Sequence, residues 1–168
     1  YKSPVNSQLK RCAFNDKGSL LSFNEIVNEV DRGNVQLGLS LGSEGLMLQG
    51  NDELYLWCID FDGFAEIGTT NVDSGVTKYF KKWPSYTEIS PSGTGFKQFI
   101  LSNKKPQVKH KVEFSSSDFA KDYPSIKKYQ DRAVEIFSRG LFLAMTGNRY
   151  NDEMLELAVL SEADIDQL

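Results

Sequence analysis

The pattern of hydrophobic and polar positions predicts a sheet-rich fold organised around one buried strand. The run at residues 54–59, Leu-Tyr-Leu-Trp-Cys-Ile, is apolar throughout, and Asp60, Phe61, Asp62 and Gly63 follow it directly. An apolar run of this length that ends at turn residues is typical of a buried strand. Because side chains alternate along a strand, Asp60 and Asp62 are expected to project from the same face.

Shorter patterns predict further elements on both sides of this strand. Upstream, Ser22 and Glu25 form a capping box for a helix at residues 23–30, and residues 35–41 alternate as a half-buried strand. Residues 46–48 are expected to pair back before the central strand begins. Downstream, the patterns predict a short helix at 76–82 and strands at 85–90, 96–101 and 108–114, followed by a polar surface excursion at 115–129.

The last third of the chain is predicted to contain a hairpin and a helix. Residues 133–137 and 141–145 are apolar runs joined by Ser-Arg-Gly, which favours two paired strands. The apolar positions between residues 152 and 160 recur at helical spacing. We therefore expect an α+β fold in which residues 1–168 form a single domain.

Composition adds limits to this picture. The 168 residues carry a net charge of −4, so no global basic field indicates a nucleic-acid partner, although lysines crowd the middle third of the chain. Cys12 and Cys58 are too few for a disulfide framework and are interpreted as reduced thiols. Neither a membrane-spanning run nor a signal peptide is evident, which favours a cytoplasmic protein without a membrane partner. The chain begins at Tyr1 and is interpreted as a fragment of a longer protein.

The first candidate site is the Asp60–Asp62 pair. Two close carboxylates repel each other when they are withdrawn from water, and a cation between them removes that cost. Mg²⁺ or Mn²⁺ is the usual ion for paired carboxylates that act on phosphates. The alternative is that both aspartates meet solvent at the end of the strand, because a short motif of this kind often occurs by chance.

The second candidate site is the glycine-rich turn at residues 90–97, Ser-Pro-Ser-Gly-Thr-Gly-Phe-Lys. Successive backbone N–H groups in such a bend form a nest for anions, and Lys97 supplies a point charge for the same phosphate. The turn is not a Walker loop, because the glycine-lysine-serine order is missing and a strand follows. Glycine turns between strands are common, so this feature alone is weak.

Polar residues on the predicted hairpin form the third feature. Glu135 lies among Val134, Ile136 and Phe137, so it points either outward from an edge strand or inward to a metal ion. Arg139 and Thr146, with Gly147 after it, lie near opposite ends of the hairpin. Taken singly, each of these residues has an ordinary structural explanation.

The ordered set of these features resembles the archaeo-eukaryotic primase superfamily, specifically the primase-polymerase domains of phages, plasmids and other mobile elements. The resemblance rests on the apolar run into Asp-Phe-Asp, the Ser-Pro-Ser-Gly-Thr-Gly-Phe-Lys turn, and the later Val-Glu-Ile-Phe-Ser-Arg-Gly-Leu-Phe-Leu-Ala-Met-Thr-Gly segment. It extends back through Lys-Ser-Pro-Val-Asn at residues 2–6 and the strand at 35–39, and so covers nearly the whole chain. The ordered set is far more specific than any of its members.

This resemblance implies a fold and an activity. The fold is a small N-terminal α/β module packed on an RRM-like antiparallel sheet module, with the active site in the cleft between them. The activity is that of a DNA-directed primase/polymerase, a template-dependent nucleotidyltransferase that uses two Mg²⁺ or Mn²⁺ ions to add nucleoside triphosphates to a 3′-hydroxyl. Its partners are a single-stranded DNA template and primer, with a helicase domain following this segment of a longer replication protein.

The resemblance also implies roles for individual residues. The catalytic residues and metal ligands are Asp60, Asp62 and Glu135. The residues that contact the nucleotide are Ser90, Ser92, Gly93, Thr94, Gly95, Lys97, Arg139 and Thr146. One departure concerns Lys97, because many members of the superfamily have histidine at this position; lysine keeps a cation directed at phosphate without the titration of histidine.

Two alternatives remain open. The Asp-Phe-Asp-Gly motif also resembles the first motif of haloacid dehalogenase-type phosphatases, in which the first aspartate is a nucleophile. That family places the motif near the N-terminus of a parallel α/β fold, whereas some fifty residues precede it here. The other alternative is a non-catalytic nucleic-acid-binding module of the same fold. The free-energy cost of burying three acids without a metal ion argues against it.

Overall fold

A computed structural model describes residue 25 and residues 38–48, 53–65, 72–107, 110–112 and 133–167. Nine strands and two helices lie in these ranges. The strands are β1 Gly38–Ser40, β2 Met47–Leu48, β3 Leu54–Asp62, β4 Thr87–Ile89, β5 Phe96–Ser102, β6 His110–Val112, β7 Ala133–Phe137, β8 Phe142–Ala144 and β9 Ala158–Leu160. The helices are α1 Ser74–Lys82 and α2 Glu162–Asp166. The described chain is thus of mixed α and β structure, with few helices and mostly sheet, and the coarse α+β prediction is confirmed.

Strand β3 lies at the centre of the main sheet, as its apolar sequence predicts. Within the described residues seven strands form this sheet, and its path runs in the order β4-β5-β3-β7-β6 with antiparallel neighbours throughout. Strand β2 pairs with the start of β3, and β9 pairs in parallel with the end of β5. Strands β1 and β8 form a separate antiparallel pair.

One face of the sheet packs against helix α1. The helix begins where the Asp73 side chain accepts a hydrogen bond from the N–H of Gly75 at 2.8 Å, and it ends just before Pro84, which has no N–H to continue it. Its buried residues Tyr79 and Phe80 contact the ring of Phe61 edge-on, with centroids 5.1 and 5.3 Å apart. Burial of these aromatic side chains fixes the helix on the sheet.

The opposite face carries a second and smaller core. Leu41 directly follows β1, and Leu143 lies in β8. Both pack with Cys58, Phe99 and Phe137 of the main sheet. Cys58 is a free thiol in this core, and burial raises its pKa above the ordinary value. Within the described residues, apolar packing therefore covers the Cys58 end of the face that bears Asp60, and the charged side chains lie towards its Asp62 end.

Two predictions for the last third of the chain are wrong. The strands at 133–137 and 142–144 exist, but among the described pairings β7 joins β3 and β6 whereas β8 joins β1. Two hydrogen bonds hold the segment between β7 and β8 beside β1: the N–H of Gly140 donates to the carbonyl of Gly42, and the N–H of Leu41 donates to the carbonyl of Leu141.

The predicted helix at 152–160 is the second error. Residues 158–160 form β9 beside β5, and the helix begins only after the Ser161 cap. The apolar residues of this segment do not share a buried helical face: Leu155 and Val159 are exposed, while Leu160 is buried.

Other predictions lie wholly or partly outside the described residues. These are the helix at 23–30, of which only Glu25 is described and is helical, the first part of the strand at 35–41, the outer parts of the strand at 108–114, and the excursion at 115–129. The predicted elements at 46–48, 76–82, 85–90 and 96–101 are found with ends shifted by a few residues. In the ranges that the structure covers, no helix is long and apolar enough to cross a membrane.

Candidate active site

A row of charged residues crosses the main sheet at the level of Asp60. In the pairing register Asp60 lies opposite Lys97 of β5 on one side and opposite Glu135 of β7 on the other. Directly opposed residues project from the same face of a sheet, so these three side chains are neighbours on the face away from α1. Asp62, two residues along β3, belongs to this face as the alternation predicts.

Asp60 and Lys97 form a buried ion pair. The ammonium of Lys97 donates to Oδ2 of Asp60. Lys97 is only 6% exposed and Asp60 only 9% exposed. Burial raises the pKa of the Asp60 carboxyl; Lys97 opposes that rise, and the nearby charges of Asp62 and Glu135 add to it. The other oxygen, Oδ1, is buried and has no hydrogen-bond partner among the described residues. Half of the carboxylate thus lacks the partner that a buried polar atom requires.

The acids around this pair suit a hard divalent cation in chemistry but do not enclose one. Carboxylate oxygens are the ligands that Mg²⁺ and Mn²⁺ prefer, and Oδ1 of Asp60 is an acceptor without a donor. Within the described ranges, however, no three His, Cys, Asp or Glu side chains come close enough together to hold a metal ion. The positive charge next to the Asp60 carboxylate comes from the ammonium of Lys97 instead. The metal site therefore stays a prediction.

The glycine-rich turn lies against the end of the Asp60–Asp62 segment. A Cβ atom added at Gly95 would overlap the carbonyl oxygen of Phe61 and approach Cα of Asp62 to 3.4 Å, so only glycine allows this close approach. The backbone N–H of Ala65 also donates to the carbonyl of Thr94 at 3.0 Å. These contacts fix the turn beside the end of β3 that carries the two aspartates.

Hydrogen bonds within the turn hold its hydroxyl groups in a line. The Ser92 hydroxyl lies 2.8 Å from that of Ser90 and 2.9 Å from that of Thr94. Gly93 has a φ of 74°, which glycine adopts without strain, and its N–H donates to the carbonyl of Ser90. The N–H of Thr94 is directed at the Ser92 hydroxyl, 3.3 Å away. Several donors of the expected anion nest are thus used inside the turn, and phosphate binding there stays a prediction.

Glu88 is a site residue that the sequence reasoning missed. It is 1% exposed and lies opposite Lys97 in the register between β4 and β5. Its carboxylate accepts from the N–H of Thr146 at 2.7 Å, the Thr146 hydroxyl at 3.2 Å, the N–H of Gly147 at 3.1 Å and the Tyr86 hydroxyl at 2.7 Å. The sequence contained one sign of this role: Glu88 lies at the centre of the short predicted strand, and its side chain shares a face with those of Tyr86 and Ser90.

These contacts also place Thr146. Its hydroxyl reaches both Glu88 and the carbonyl of Ile89, the latter at 2.9 Å, and accepts from the N–H of Asn148 at 3.1 Å. The turn at 146–147 therefore docks on β4, next to the strand that carries Lys97. Thr146 belongs to the same polar region as the turn and the acids, and its contact with nucleotide stays a prediction.

Arg139 is not brought into this group. It follows β7 on the side away from Asp62, since β7 runs antiparallel to β3 and Phe137 already lies opposite Cys58. Arg139 lies four positions after Glu135 and two after the end of β7, and four positions span at most roughly 13 Å of extended chain. A contact between Arg139 and a nucleotide bound beside Glu135 depends on the long reach of its side chain, and its role stays a prediction.

The structure thus gathers most of the expected residues at one end of one sheet face: Asp60, Asp62, Glu135, Lys97, the turn at 90–95 and Thr146. Known proteins add no assignment to this group, because neither a protein-family model nor a curated protein matches the chain. The chemistry that these residues can perform has to come from their own arrangement.

Proposed function

We propose that this chain is a template-dependent nucleotidyltransferase of the primase-polymerase type, which adds nucleoside triphosphates to a 3′-hydroxyl on a single-stranded DNA template. The observation that carries the proposal is the cross-strand row of Lys97, Asp60 and Glu135, with Asp62 and the turn at 90–95 at the same end of the sheet. Carboxylates beside a hydroxyl-lined glycine turn and a lysine are the combination that transfer of a nucleotide needs, because the acids hold metal ions and the turn and lysine hold phosphates.

Each group has a distinct task in this proposal. Asp60, Asp62 and Glu135 would hold Mg²⁺ or Mn²⁺ ions, which would supply activation of the 3′-hydroxyl and neutralisation of charge on the phosphates. Lys97 and the turn at 90–95 bind and orient the triphosphate. Glu88 holds the turn at 146–147 in place through the hydrogen bonds to its backbone, so that the Thr146 region borders the same site.

The strand order supports the finer part of the fold hypothesis, an RRM-like module. Strand β3 is followed by helix α1 and then by β4 and β5, and the order across the sheet is β4-β5-β3-β7. In an RRM-like module a second helix precedes the strand equivalent to β7. The stretch where that helix would lie, residues 113–132, is outside the described residues. We propose that this module carries the active site and that the N-terminal α/β module completes the cleft.

The two alternatives differ in what they require of the site. The phosphatase interpretation places the Asp-Phe-Asp-Gly segment in a parallel sheet, whereas β2, β5 and β7 all pair with β3 in antiparallel orientation. The non-catalytic interpretation is harder to set aside, because Lys97 gives Asp60 a counter-charge without any metal ion. The unpartnered Oδ1 of Asp60 and the two further acids beside it favour an active enzyme over a binding module.

A primer-extension and primer-synthesis assay tests the proposal. Labelled nucleotides, a single-stranded template and Mg²⁺ or Mn²⁺ are supplied to the wild type, to the Asp60→Ala, Asp62→Ala double variant and to Asp62→Asn. The exposed position of Asp62 makes the last variant safe for folding. We expect incorporation by the wild type, and a loss of more than about 100-fold in both variants, since altering even outer contacts of metal ligands costs about 10–100-fold.

Asp166→Ala is the matched control. Asp166 is an exposed acid that pairs with Lys104, near the opposite end of β5 from the site, so removing it changes the net charge by the same single unit as Asp62→Asn without touching the site. Incorporation that survives in the double variant contradicts the assignment of these residues. A covalent phosphate on Asp60 favours the phosphatase alternative, and template binding without incorporation by the folded wild type favours the binding module.

A further inference from the structure

Lys97 occupies one of the two Asp60 oxygens, next to the oxygen that suits a divalent cation. Its ammonium contacts Oδ2, and both side chains are almost completely buried, at 8% and 12% exposed. An ammonium that loses its carboxylate but stays buried keeps the cost of its own desolvation without the interaction that offset it. A cation that approaches Asp60 therefore competes with a charge that belongs to the chain.

The charges around the pair do not balance. Glu135 lies opposite Asp60 on one side and opposite Lys111 of β6 on the other, so it is left out of the count. The carboxylates of Asp60 and Asp62 share the region with the ammonium of Lys97, which leaves one net negative charge. This excess attracts a divalent cation, but Lys97 holds one oxygen of the most buried of the three acids. The structure thus combines an attraction for metal with an internal obstacle to it.

Glu88 does not readily replace Asp60 as the carboxylate that binds the ammonium of Lys97. It lies opposite Lys97 on the other side, but its two oxygens already accept hydrogen bonds from Thr146, Gly147 and Tyr86. An ammonium displaced from Asp60 needs another anion within reach. The turn at 90–95, which leads directly into the strand of Lys97, is where the proposed function places the triphosphate.

We propose that Lys97 is a built-in competitor for the metal site, which couples binding of a divalent cation at Asp60 to binding of a nucleoside triphosphate at Lys97. Either ligand alone works against the ion pair, because the ammonium beside Asp60 repels a metal ion on the same carboxylate and the carboxylate repels a triphosphate at Lys97. The two ligands together replace the pair: the metal takes the carboxylate and the triphosphate takes the ammonium. Such coupling is reciprocal, because each ligand changes the affinity of the other by the same factor. The inference rests on the proposed function and deepens it, by assigning how the site avoids filling with metal before the nucleotide arrives.

The first test measures Mn²⁺ binding by the full chain without nucleotide, by titration calorimetry or by the electron paramagnetic resonance of free Mn²⁺. Lys97→Met keeps the length of the side chain and removes the ammonium. We expect this variant to bind Mn²⁺ about 10-fold more tightly than the wild type, within the usual 5–150-fold range of coupling between two ligands. Lys104→Met removes the same charge just beyond the far end of β5 and is expected to stay within about twofold of the wild type, since charges separated by more than the screening length of about 10 Å interact weakly.

The second test reverses the roles and leaves Lys97 in place. Affinity for a nucleoside triphosphate is measured in EDTA, so that binding of metal by the nucleotide itself does not contribute. Asp60→Asn releases the ammonium, and Asp62→Asn removes an equal charge that does not bind Lys97. We expect tighter nucleotide binding in Asp60→Asn than in Asp62→Asn, and no difference between these two substitutions when Lys97→Met is also present.

The outcomes separate this inference from the proposed function. If Lys97→Met binds Mn²⁺ no more tightly than Lys104→Met, or if Asp60→Asn and Asp62→Asn bind nucleotide equally, the competition is overturned while the transfer activity can still stand. If neither the wild type nor Lys97→Met binds Mn²⁺ at millimolar concentration, both the competition and the proposed metal site are overturned. Tighter Mn²⁺ binding in Lys97→Met together with the difference in the second test supports the coupling.

Discussion

Replacing Glu88 by glutamine is the sharpest test of how the site is held together. Both oxygens of Glu88 face a backbone donor: Oε2 accepts from the N–H of Thr146 and Oε1 from the N–H of Gly147. Glutamine has nearly the same size, so packing is preserved. Whichever way its amide is turned, however, its NH₂ group points at one of these two N–H groups, and that donor loses its acceptor.

The size of the effect follows from two opposing contributions. A buried donor left without a partner costs about 1–3 kcal/mol, and hydrogen bonds to a neutral acceptor are about half as strong as those to a carboxylate. Glutamine also avoids the cost of burying a charge, which works in the other direction. Because two backbone N–H groups and the Tyr86 hydroxyl all donate to Glu88, the losses prevail. We expect a net loss of about 2–4 kcal/mol, equivalent to roughly 4–16 °C in Tm for a chain of this size.

Thermal unfolding and amide hydrogen exchange measure this loss together. Besides the lower Tm, we expect faster exchange at Thr146 or Gly147, since the opposed N–H loses its acceptor, and unchanged exchange in helix α1. Glu153→Gln is the matched control, because it makes the same chemical change at an exposed position. A Glu88→Gln variant that melts within about 1 °C of this control, with both amides still protected, refutes the role of Glu88 as the anchor of the turn.

Two further predictions concern neighbouring residues. Burial, and then the hydrogen bond to Glu88, raise the pKa of Tyr86 to about 12, above the value of about 10 in an unfolded chain. The stabilising effect of its hydroxyl is therefore complete below about pH 10 and declines as the pH rises towards 12. The difference in unfolding free energy between wild type and Tyr86→Phe, about 1–2 kcal/mol at pH 7, is expected to shrink over that interval in urea titrations; a constant difference contradicts this. Gly95→Ala is expected to destabilise the fold by about 1–3 kcal/mol, because the new methyl group meets the backbone of Phe61; urea unfolding measures this, and a stability equal to that of the wild type means the turn does not rest on β3.

The local elements around the site could be predicted because their signals lie within a few residues. The apolar run into Asp60 and Asp62 gave β3, and the spacing of Val76, Tyr79 and Phe80 with Pro84 beyond them is the pattern of a short buried helix. The alternation of side chains in a strand also gave the shared face of the two aspartates. Each of these inferences needs only the geometry of a single element.

The errors arose where a segment had a choice of partners. Strand β8 pairs with β1 rather than with the adjacent β7, and β9 is a strand because the edge of β5 was available to it. Both segments are short and only partly apolar, so their own patterns fit more than one structure. The available partner, and not local propensity, decided which structure formed.

The sequence by itself thus determined the central strand, the helix on one side of it and the face on which the acids lie, because those features follow from the period of the apolar residues. Only the tertiary structure decided which charges meet. Lys97 reaches Asp60 across 37 residues of sequence and Glu88 reaches Thr146 across 58, and both contacts depend on the order and register of strands in the sheet. That register is set by the total burial of both faces, a property of the assembled sheet which no single segment of the sequence contains.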